Sequence, residues 1–97
     1  MPLFITPLAA QDLEEIGDYI AQDNPIRAGS FVTELLAQCQ KIALNPVGYR
    51  ARPELSDGLR SCAHGNYVIF FEFTPDQVLI IRILHSARDI PQEFDLA

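Results

Sequence analysis

The chain has 97 residues, 48% of them hydrophobic and 21% charged, which predicts a single globular domain over residues 1–97 and excludes a disordered chain. Its net charge of −6, with Lys41 as the one lysine, argues against bulk binding of nucleic acid, because phosphate binding needs clustered cations. No run of about 20 apolar residues is present to span a bilayer, and no membrane partner is predicted. We expect a cytoplasmic protein.

The first half of the chain predicts a strand followed by two helices. Residues 3–5 form a short apolar run, and Thr6-Pro7 then supplies a capped helix start. Apolar residues at helical spacing predict an amphipathic helix over residues 8–21 and a second helix that starts at Asn24-Pro25 and stops at Asn45-Pro46. The two helices should form an antiparallel hairpin. Acidic residues are interpreted as the solvated surface of the first helix: Asp12, Glu14, Glu15 and Asp18.

The second half predicts an ordered loop and then three strands. The loop spans residues 45–57, and its Arg50 and Arg52 are predicted to be the most exposed basic groups of the chain. The strands are predicted at residues 58–62, 67–73 and 78–85, joined by four-residue turns. The predicted fold class is therefore α+β: an N-terminal strand, an antiparallel helix hairpin and a three-stranded antiparallel meander.

Two arginines interrupt the apolar strands. Four-residue turns would place Arg60 and Arg82 on either side of Ile69, in one row on one face of the sheet. An arginine is rarely kept in a strand core without a partner, so this placement indicates a binding role. The opposite face is predicted to pack on the helices, which leaves the arginine face as a partner groove. The residues of that opposite face are Val68, Phe70, Leu79, Ile81 and Ile83; those at one end of the arginine face are Phe71, Phe73, Val78 and Ile80.

The remaining reactive side chains predict no cofactor, no metal and no catalytic residue. Cys39 and Cys62 lack the spacing of metal ligands and are expected to be reduced core thiols. His64 is expected to be exposed in a turn, and no acid, lysine or tyrosine is placed by spacing beside either histidine. At the end of the last strand, two interpretations stay open: Asp89 orients His85 or an arginine, or Arg88 and Asp89 tie the strand end to its neighbours through an ion pair.

Several motifs over nearly the whole chain resemble the ParE toxins of the RelE/ParE superfamily. The specific part is Arg82-Ile83-Leu84-His85-Ser86-Ala87-Arg88-Asp89, preceded by Gly58-Leu59-Arg60-Ser61. Weaker matches lie at residues 10–20, 45–46, 52–55 and 67–71. The resemblance implies a toxin of a type II toxin-antitoxin pair that inhibits DNA gyrase by direct binding, without chemistry of its own. It also implies a ParD-like antitoxin, a ribbon-helix-helix protein, through which alone operator DNA would be bound.

Two sets of contact residues are expected from this resemblance and from the strand pattern. The target contacts are expected to be Arg60, Arg82, His85 and Arg88. The antitoxin is expected to cover apolar side chains of the helices and the sheet, because such a surface is too apolar to stay bare. These are Leu13, Ile16, Ile20, Phe31, Leu35, Ile69, Phe71 and Ile80.

Two alternatives to gyrase inhibition remain. The first is a RelE-like ribosome-dependent mRNA endoribonuclease, which the chain resembles less because residues 89–97 lack Tyr, Lys and His and the net charge is negative. The second is a non-toxic relative that serves only as antitoxin ligand and corepressor. Residues 6–10 lack the basic side chains that many relatives carry there, which favours weak toxicity or another target.

Overall fold

A computed structural model, which describes residues 1 to 94, shows one five-stranded sheet with two long helices on one face. The order of strands across the sheet is β1-β5-β4-β3-β2, with β1 parallel to β5 and the other neighbours antiparallel. This is the predicted α+β fold. The elements are β1 (Leu3–Ile5), α1 (Pro7–Ala21), α2 (Pro25–Leu44), a 3-10 turn (Pro46–Gly48), β2 (Arg50–Ala51), β3 (Arg60–His64), β4 (Tyr67–Phe73), β5 (Val78–His85) and α3 (Ile90–Glu93).

Both long helices start where the sequence predicts, because each has a capping side chain followed by proline. The Thr6 hydroxyl oxygen accepts the Ala9 N–H at 3.3 Å and the hydroxyl donates to the Ile80 carbonyl at 2.7 Å. The Asn24 carboxamide oxygen accepts the Arg27 N–H at 3.0 Å. Thr6 therefore both caps α1 and fastens its start to β5.

Apolar side chains form a core on each face of the sheet. The larger core lies between the helices and the sheet, and the smaller core lies on the other face, where α3 and the segment before β3 cover it. The ring of Phe94 packs on Phe70 with 4.9 Å between centroids. The larger core includes Leu13, Ile16, Phe31, Leu35, Ile69, Phe71, Val78, Ile80 and Ile83; the smaller one is built on Leu55, Leu59, Phe70 and Leu84.

The predicted strand register is wrong in two places. The turn between β3 and β4 has two residues instead of four, and its Gly65 has φ 57°, so β3 runs on to His64 and Arg60 pairs with Phe71. A β-bulge near Ile81 shifts β5 by one residue, so Arg82 pairs with Phe70. Phe71 and Phe70 belong to the cores on opposite faces. The predicted row of two arginines around Ile69 is therefore not formed.

The choice of the sheet face that packs on the helices is also wrong. The helices cover the face of Ile69, Phe71 and Ile80, which was expected to be an open groove, whereas Phe70 and Ile81 lie on the other face. The alternation within β4 is as predicted; the error lies in taking the face with the expected row of arginines as the open one, although both faces of the sheet are apolar. Only Ile83, of the residues predicted to pack on the hairpin, lies in the core beneath it.

Two short elements, β2 and α3, are not predicted from the sequence, because two and four residues are too few to show a hydrophobic period. Arg52, in the loop after β2, is less exposed than predicted: it pairs with Glu54 at 2.8 Å and donates to the Ser61 hydroxyl at 3.1 Å. Neither α1 nor any other helix within residues 1–94 has the length and hydrophobicity needed to cross a bilayer. Residues 95–97 of the tail used in the ribonuclease comparison lie outside the described residues.

Candidate functional site

A cleft of about 520 Å³ lies between α1 and the end of β5, and we call it the α1–β5 cleft. Its floor is apolar, and its walls carry carboxylates, two phenols, an imidazole and a guanidinium. Two of the four expected target contacts, His85 and Arg88, line it, and Arg82 is bound to one of its wall residues. The lining residues are Asp12, Glu15, Ile16, Tyr19, Tyr67, Ile83, Leu84, His85 and Arg88.

Arg82 is held by a carboxylate of its own chain. Its Nε and Nη2 donate to the two oxygens of Asp12 at 2.8 and 2.9 Å, and the side chains are only 16% and 7% exposed. The hydrogen bonds that the guanidinium donates to Asp12 are the main cause that raises the pKa of Arg82. The partner that a strand arginine requires is therefore internal, and Arg82 has a structural role in this fold.

Asp12 also completes the edge of β5. Strand β1 pairs with β5 only as far as Ile80, which leaves the following backbone groups of β5 without a neighbouring strand. Thr6 binds the carbonyls of Ile80 and Ile81, and Asp12 Oδ2 accepts the Ile83 N–H at 2.9 Å. The sequence interpretation of Asp12 as a solvated residue is wrong, because a helical pattern does not reveal where a short edge strand ends.

Glu93 ties α3 to the same group of charges. One carboxylate oxygen contacts Arg82 Nη1 at 3.3 Å and the other contacts Arg88 Nη1 at 2.8 Å. Arg88 thus ties the strand end to a neighbouring element through an ion pair, as one interpretation expects, but both roles expected for Asp89 are wrong. Within residues 1–94 the Asp89 side chain makes no ion pair, and it precedes α3 as an exposed residue. Glu93, four residues after Asp89, forms the ion pair with Arg88 instead.

His85 and Tyr67 form an aromatic pair that sequence reasoning missed. They pair directly across β4 and β5, and their rings lie edge to face with centroids 5.1 Å apart. The Nδ1 atom of His85 accepts the Ala87 N–H at 3.0 Å, which leaves Nε2 as the other hydrogen-bonding atom of the ring. Burial, and next the nearby Tyr19, raise the pKa of the Tyr67 phenol, so it is neutral at pH 7. If the strand pairs are counted from the β4–β5 turn and one bulge residue is allowed in β5, Tyr67 is predicted opposite His85.

Arg60 lies apart from the other three expected target contacts. It is half-buried on β3, where Nη1 donates to the Tyr49 carbonyl at 2.7 Å and the guanidinium lies 5.5 Å from the centroid of the Phe73 ring. The structure thus brings together Arg82, His85 and Arg88 at one side of the sheet and leaves Arg60 near β2.

Most of the expected antitoxin contacts lie in the core of the chain itself. All are buried between the helices and the sheet except Ile20, which is half-buried and packs against that core. The three sheet residues are buried because the helices cover the face that was expected to be open, and the helical residues of the set are the ones that cover it. Their contact with an antitoxin stays a prediction. The buried residues of this set are Leu13, Ile16, Phe31, Leu35, Ile69, Phe71 and Ile80.

His64 lies at the end of β3 and contacts α2, in contrast to the exposed turn position predicted for it. Its Nε2 is 3.1 Å from Glu34 Oε1, and Glu34 also pairs with Arg27. The hydrogen bond from Arg27, followed by the one from His64, lowers the pKa of the Glu34 carboxyl. In the part of the chain that the structure describes, no three His, Cys, Asp or Glu side chains are grouped to ligate a metal ion.

Relatives of known sequence carry the same family assignment along almost the whole chain. The family model described as the ParE toxin of type II toxin-antitoxin system, parDE, matches residues 3–90. Toxin ParE1 of Caulobacter vibrioides is 32% identical over 89 residues, which cover 91% of this chain and 92% of the relative. Toxin ParE1 of Mycobacterium tuberculosis is 28% identical over 88 residues, which cover 89% and 90%.

Solved structures share the fold. A chain of the chromosomal ParDE TA system from P. aeruginosa superposes with a TM-score of 0.76 at 24% identity, over 88% of this chain and 95% of that one. A chain of the toxin-antitoxin complex RelBE2 from Mycobacterium tuberculosis superposes with a TM-score of 0.64 at 20% identity, over 87% and 95%. Because the family model spans most of the sequence and the fold agrees with it, the chain belongs to the ParE toxin family of type II toxin-antitoxin systems.

Proposed function

We propose that this toxin inhibits DNA gyrase by direct binding and that a ParD-like antitoxin neutralises it. The observation that carries the proposal is the match of the ParE family model to residues 3–90, since ParE-type toxins are gyrase poisons. Gyrase acts in the cytoplasm, so the proposal places the toxin there. The antitoxin is a ribbon-helix-helix protein in this proposal, and operator DNA is bound only through it.

Binding without chemistry by the toxin itself fits the state of its arginines. Arg82 is occupied by Asp12 and Arg60 by the Tyr49 carbonyl, whereas cleavage of a phosphodiester requires cations directed at the phosphate and a placed proton donor and acceptor. Arg88 is the most accessible of the expected target contacts, with 49% of its side chain exposed. We assign the target contact to Arg88 and His85 at the mouth of the α1–β5 cleft, and Arg82 is the residue that positions them.

Induction of the toxin in cells tests the proposal. We expect a DNA-damage response and growth arrest without messenger cleavage, because a poisoned gyrase leaves cleaved DNA on the chromosome. Co-expression of the antitoxin is expected to restore growth. Growth arrest with intact chromosomal DNA would overturn the assigned target, and absence of any growth effect from a folded toxin would support the corepressor alternative.

The ribonuclease alternative has one structural observation in its favour, which is the pairing of His85 with Tyr67 beside Arg88. An imidazole and a phenol are groups that move protons in general acid–base catalysis. This alternative predicts ribosome-dependent cleavage of messenger RNA that the Tyr67→Phe variant loses. Our proposal predicts that messenger RNA stays intact in translation reactions that contain the toxin.

A further inference from the structure

The α1–β5 cleft contains one carboxylate that the chain itself does not neutralise. Two cations and two anions of the site compensate one another: Arg82 pairs with Asp12 and Glu93, and Arg88 pairs with Glu93. Glu15 is exposed and makes no ion pair within residues 1–94; its carboxylate accepts one long hydrogen bond, from the Gln11 side chain at 3.3 Å. The cleft therefore carries one uncompensated negative charge.

Aromatic rings stand beside this carboxylate. Tyr19, which is 67% exposed, comes from the same helix as Glu15, and Tyr67 with its neighbour His85 comes from the sheet. Between them the floor is formed by Ile16, Ile83 and Leu84. Aromatic faces next to a carboxylate attract a cation, and a planar guanidinium both stacks on a ring and pairs with a carboxylate.

The charge around the cleft and the volume of the cleft also favour binding of a cationic side chain. Residues 1 to 26 contain five acidic side chains and no lysine or arginine, and they include all of α1. The volume of the cleft, about 520 Å³, lies within the range of about 300 to 1,000 Å³ that is usual for binding pockets. Such a surface attracts a basic partner and repels phosphate.

We propose that the α1–β5 cleft binds an arginine side chain from a basic segment of the antitoxin, with the guanidinium against Tyr19 or Tyr67 and paired with Glu15. This inference rests on the proposed function. In the proposed function the gyrase target contacts Arg88 and His85. A surface that pairs with Arg88 is acidic or bears phosphate, and Glu15 would repel such a surface. The cation that Glu15 requires therefore comes from the neutralising partner.

Occupation of the cleft gives a direct route to neutralisation. A peptide segment whose arginine enters between α1 and β5 passes over the mouth of the cleft, where Arg88 and His85 are exposed to the target in our proposal. The antitoxin then blocks the target contacts by position, without displacing any strand of the toxin.

Titration of the free toxin, followed by amide NMR shifts, tests the chemistry of the occupant with three probes. These are acetyl-Gly-Arg-Gly-amide, acetyl-Gly-Glu-Gly-amide and the trinucleotide (dT)3. We expect saturable shifts at Tyr19, Tyr67 and His85 with the arginine peptide alone. The Glu15→Gln variant should weaken that binding about three- to fivefold, which is the effect of losing an exposed ion pair. Glu14→Gln makes the same charge change on α1 outside the cleft and should change it less than about 1.5-fold.

The purified toxin–antitoxin complex tests the identity of the occupant. Glu15→Lys is expected to accelerate dissociation of the complex about tenfold more than Glu14→Lys does, because it places a like charge against a buried arginine. Unchanged dissociation would overturn the antitoxin assignment even if the arginine peptide binds. Absence of saturable shifts with the arginine peptide, equal shifts with the glutamate peptide or preferential binding of (dT)3 would overturn the inference itself. A gyrase cleavage assay on the same free toxin reports separately on the proposed function.

Discussion

Asp12 and Arg82 join three elements at the side of the sheet where the target contacts are proposed. Asp12 comes from α1, Arg82 and the Ile83 N–H come from β5, and Glu93 extends the ion pair to α3. Removal of one member of a buried ion pair leaves the other charge buried without compensation, which costs far more than the pair contributes as a whole. The two side chains therefore act as a unit.

We expect Arg82→Ala to lower the free energy of unfolding by about 3–5 kcal/mol, because it leaves the Asp12 carboxylate buried. Urea denaturation measures the change. The double variant Asp12→Asn/Arg82→Met, which removes both charges and keeps an oxygen that can accept the Ile83 N–H, should recover most of the loss. If Arg82→Ala abolishes target binding at unchanged stability, Arg82 is a direct contact and its structural role is refuted.

The two thiols should differ in reactivity. Burial is the main cause that raises the pKa of Cys39 to about 11, and Cys39 is fully buried, whereas Cys62 is half-buried with a pKa that burial also raises. At pH 8 we expect a disulfide reagent to modify Cys62 first and Cys39 only as the protein unfolds. Mass spectrometry after timed quenching measures the order, with the Cys62→Ser variant as the control. Faster modification of Cys39 would contradict its burial.

Among the elements, the long ones are predictable and the connections between them are not. Capping residues and prolines mark the starts of α1 and α2, and continuous apolar runs define β4 and β5 at the bounds found in the structure. The two-residue turn at Gly65 and the bulge at Ile81 leave no comparable pattern in the sequence. The turn shifts the pairing of β3 by two residues, and the bulge moves Arg82 to the opposite face. For this reason the sequence shows that Arg60 and Arg82 are unusual residues for strands, but it does not predict which residues they pair with.

The candidate site was predictable only in part, for the same physical reason. His85 and Arg88 lie in a specific motif at the end of β5, and both line the cleft. Tyr67 lies at the site because of the register between β4 and β5, and Asp12 lies there because β1 ends at Ile5 and leaves the edge of β5 open. Both are tertiary features that a local sequence pattern does not show. The buried carboxylate that Arg82 requires could be expected, but not identified among thirteen acidic residues.

The contact between α2 and β3 should make stability depend on pH. Glu34 on α2 binds His64 on β3, and the hydrogen bond from Arg27, followed by the one from His64, holds the folded-state pKa of the Glu34 carboxyl below its ordinary value. A depressed carboxyl pKa contributes stability above the unfolded pKa, and this contribution is lost as the pH falls through the folded pKa. We therefore expect Glu34→Gln to flatten the decline of the melting temperature below about pH 4.5.

Thermal melts between pH 3 and pH 7 measure this effect. Glu14→Gln, an exposed substitution on α1, serves as the control and should follow the native chain at every pH. Parallel declines for the native chain and Glu34→Gln would show that the contact of Glu34 with Arg27 and His64 does not stabilise the fold.

Across the whole molecule, the distribution of charge separates the two proposed contacts. Every charged side chain among the first 26 residues is acidic, and the arginines of the second half lie on the sheet and its loops. The acidic helix favours a basic antitoxin, whereas Arg88 at the cleft mouth remains the accessible cation among the expected target contacts. A protein with a net charge of −6 can thus bind an anionic target at one side and a cationic inhibitor beside it.

The most direct measurement is a DNA cleavage assay with purified gyrase, supercoiled plasmid and the toxin freed of its antitoxin. We expect cleaved DNA to accumulate with the native chain. The Arg88→Ala variant should need about tenfold more toxin, which corresponds to about 1.4 kcal/mol of binding free energy. Arg27→Ala, which removes an exposed arginine on α2, should behave as the native chain does. A folded toxin that leaves gyrase cleavage and supercoiling unchanged would contradict the account.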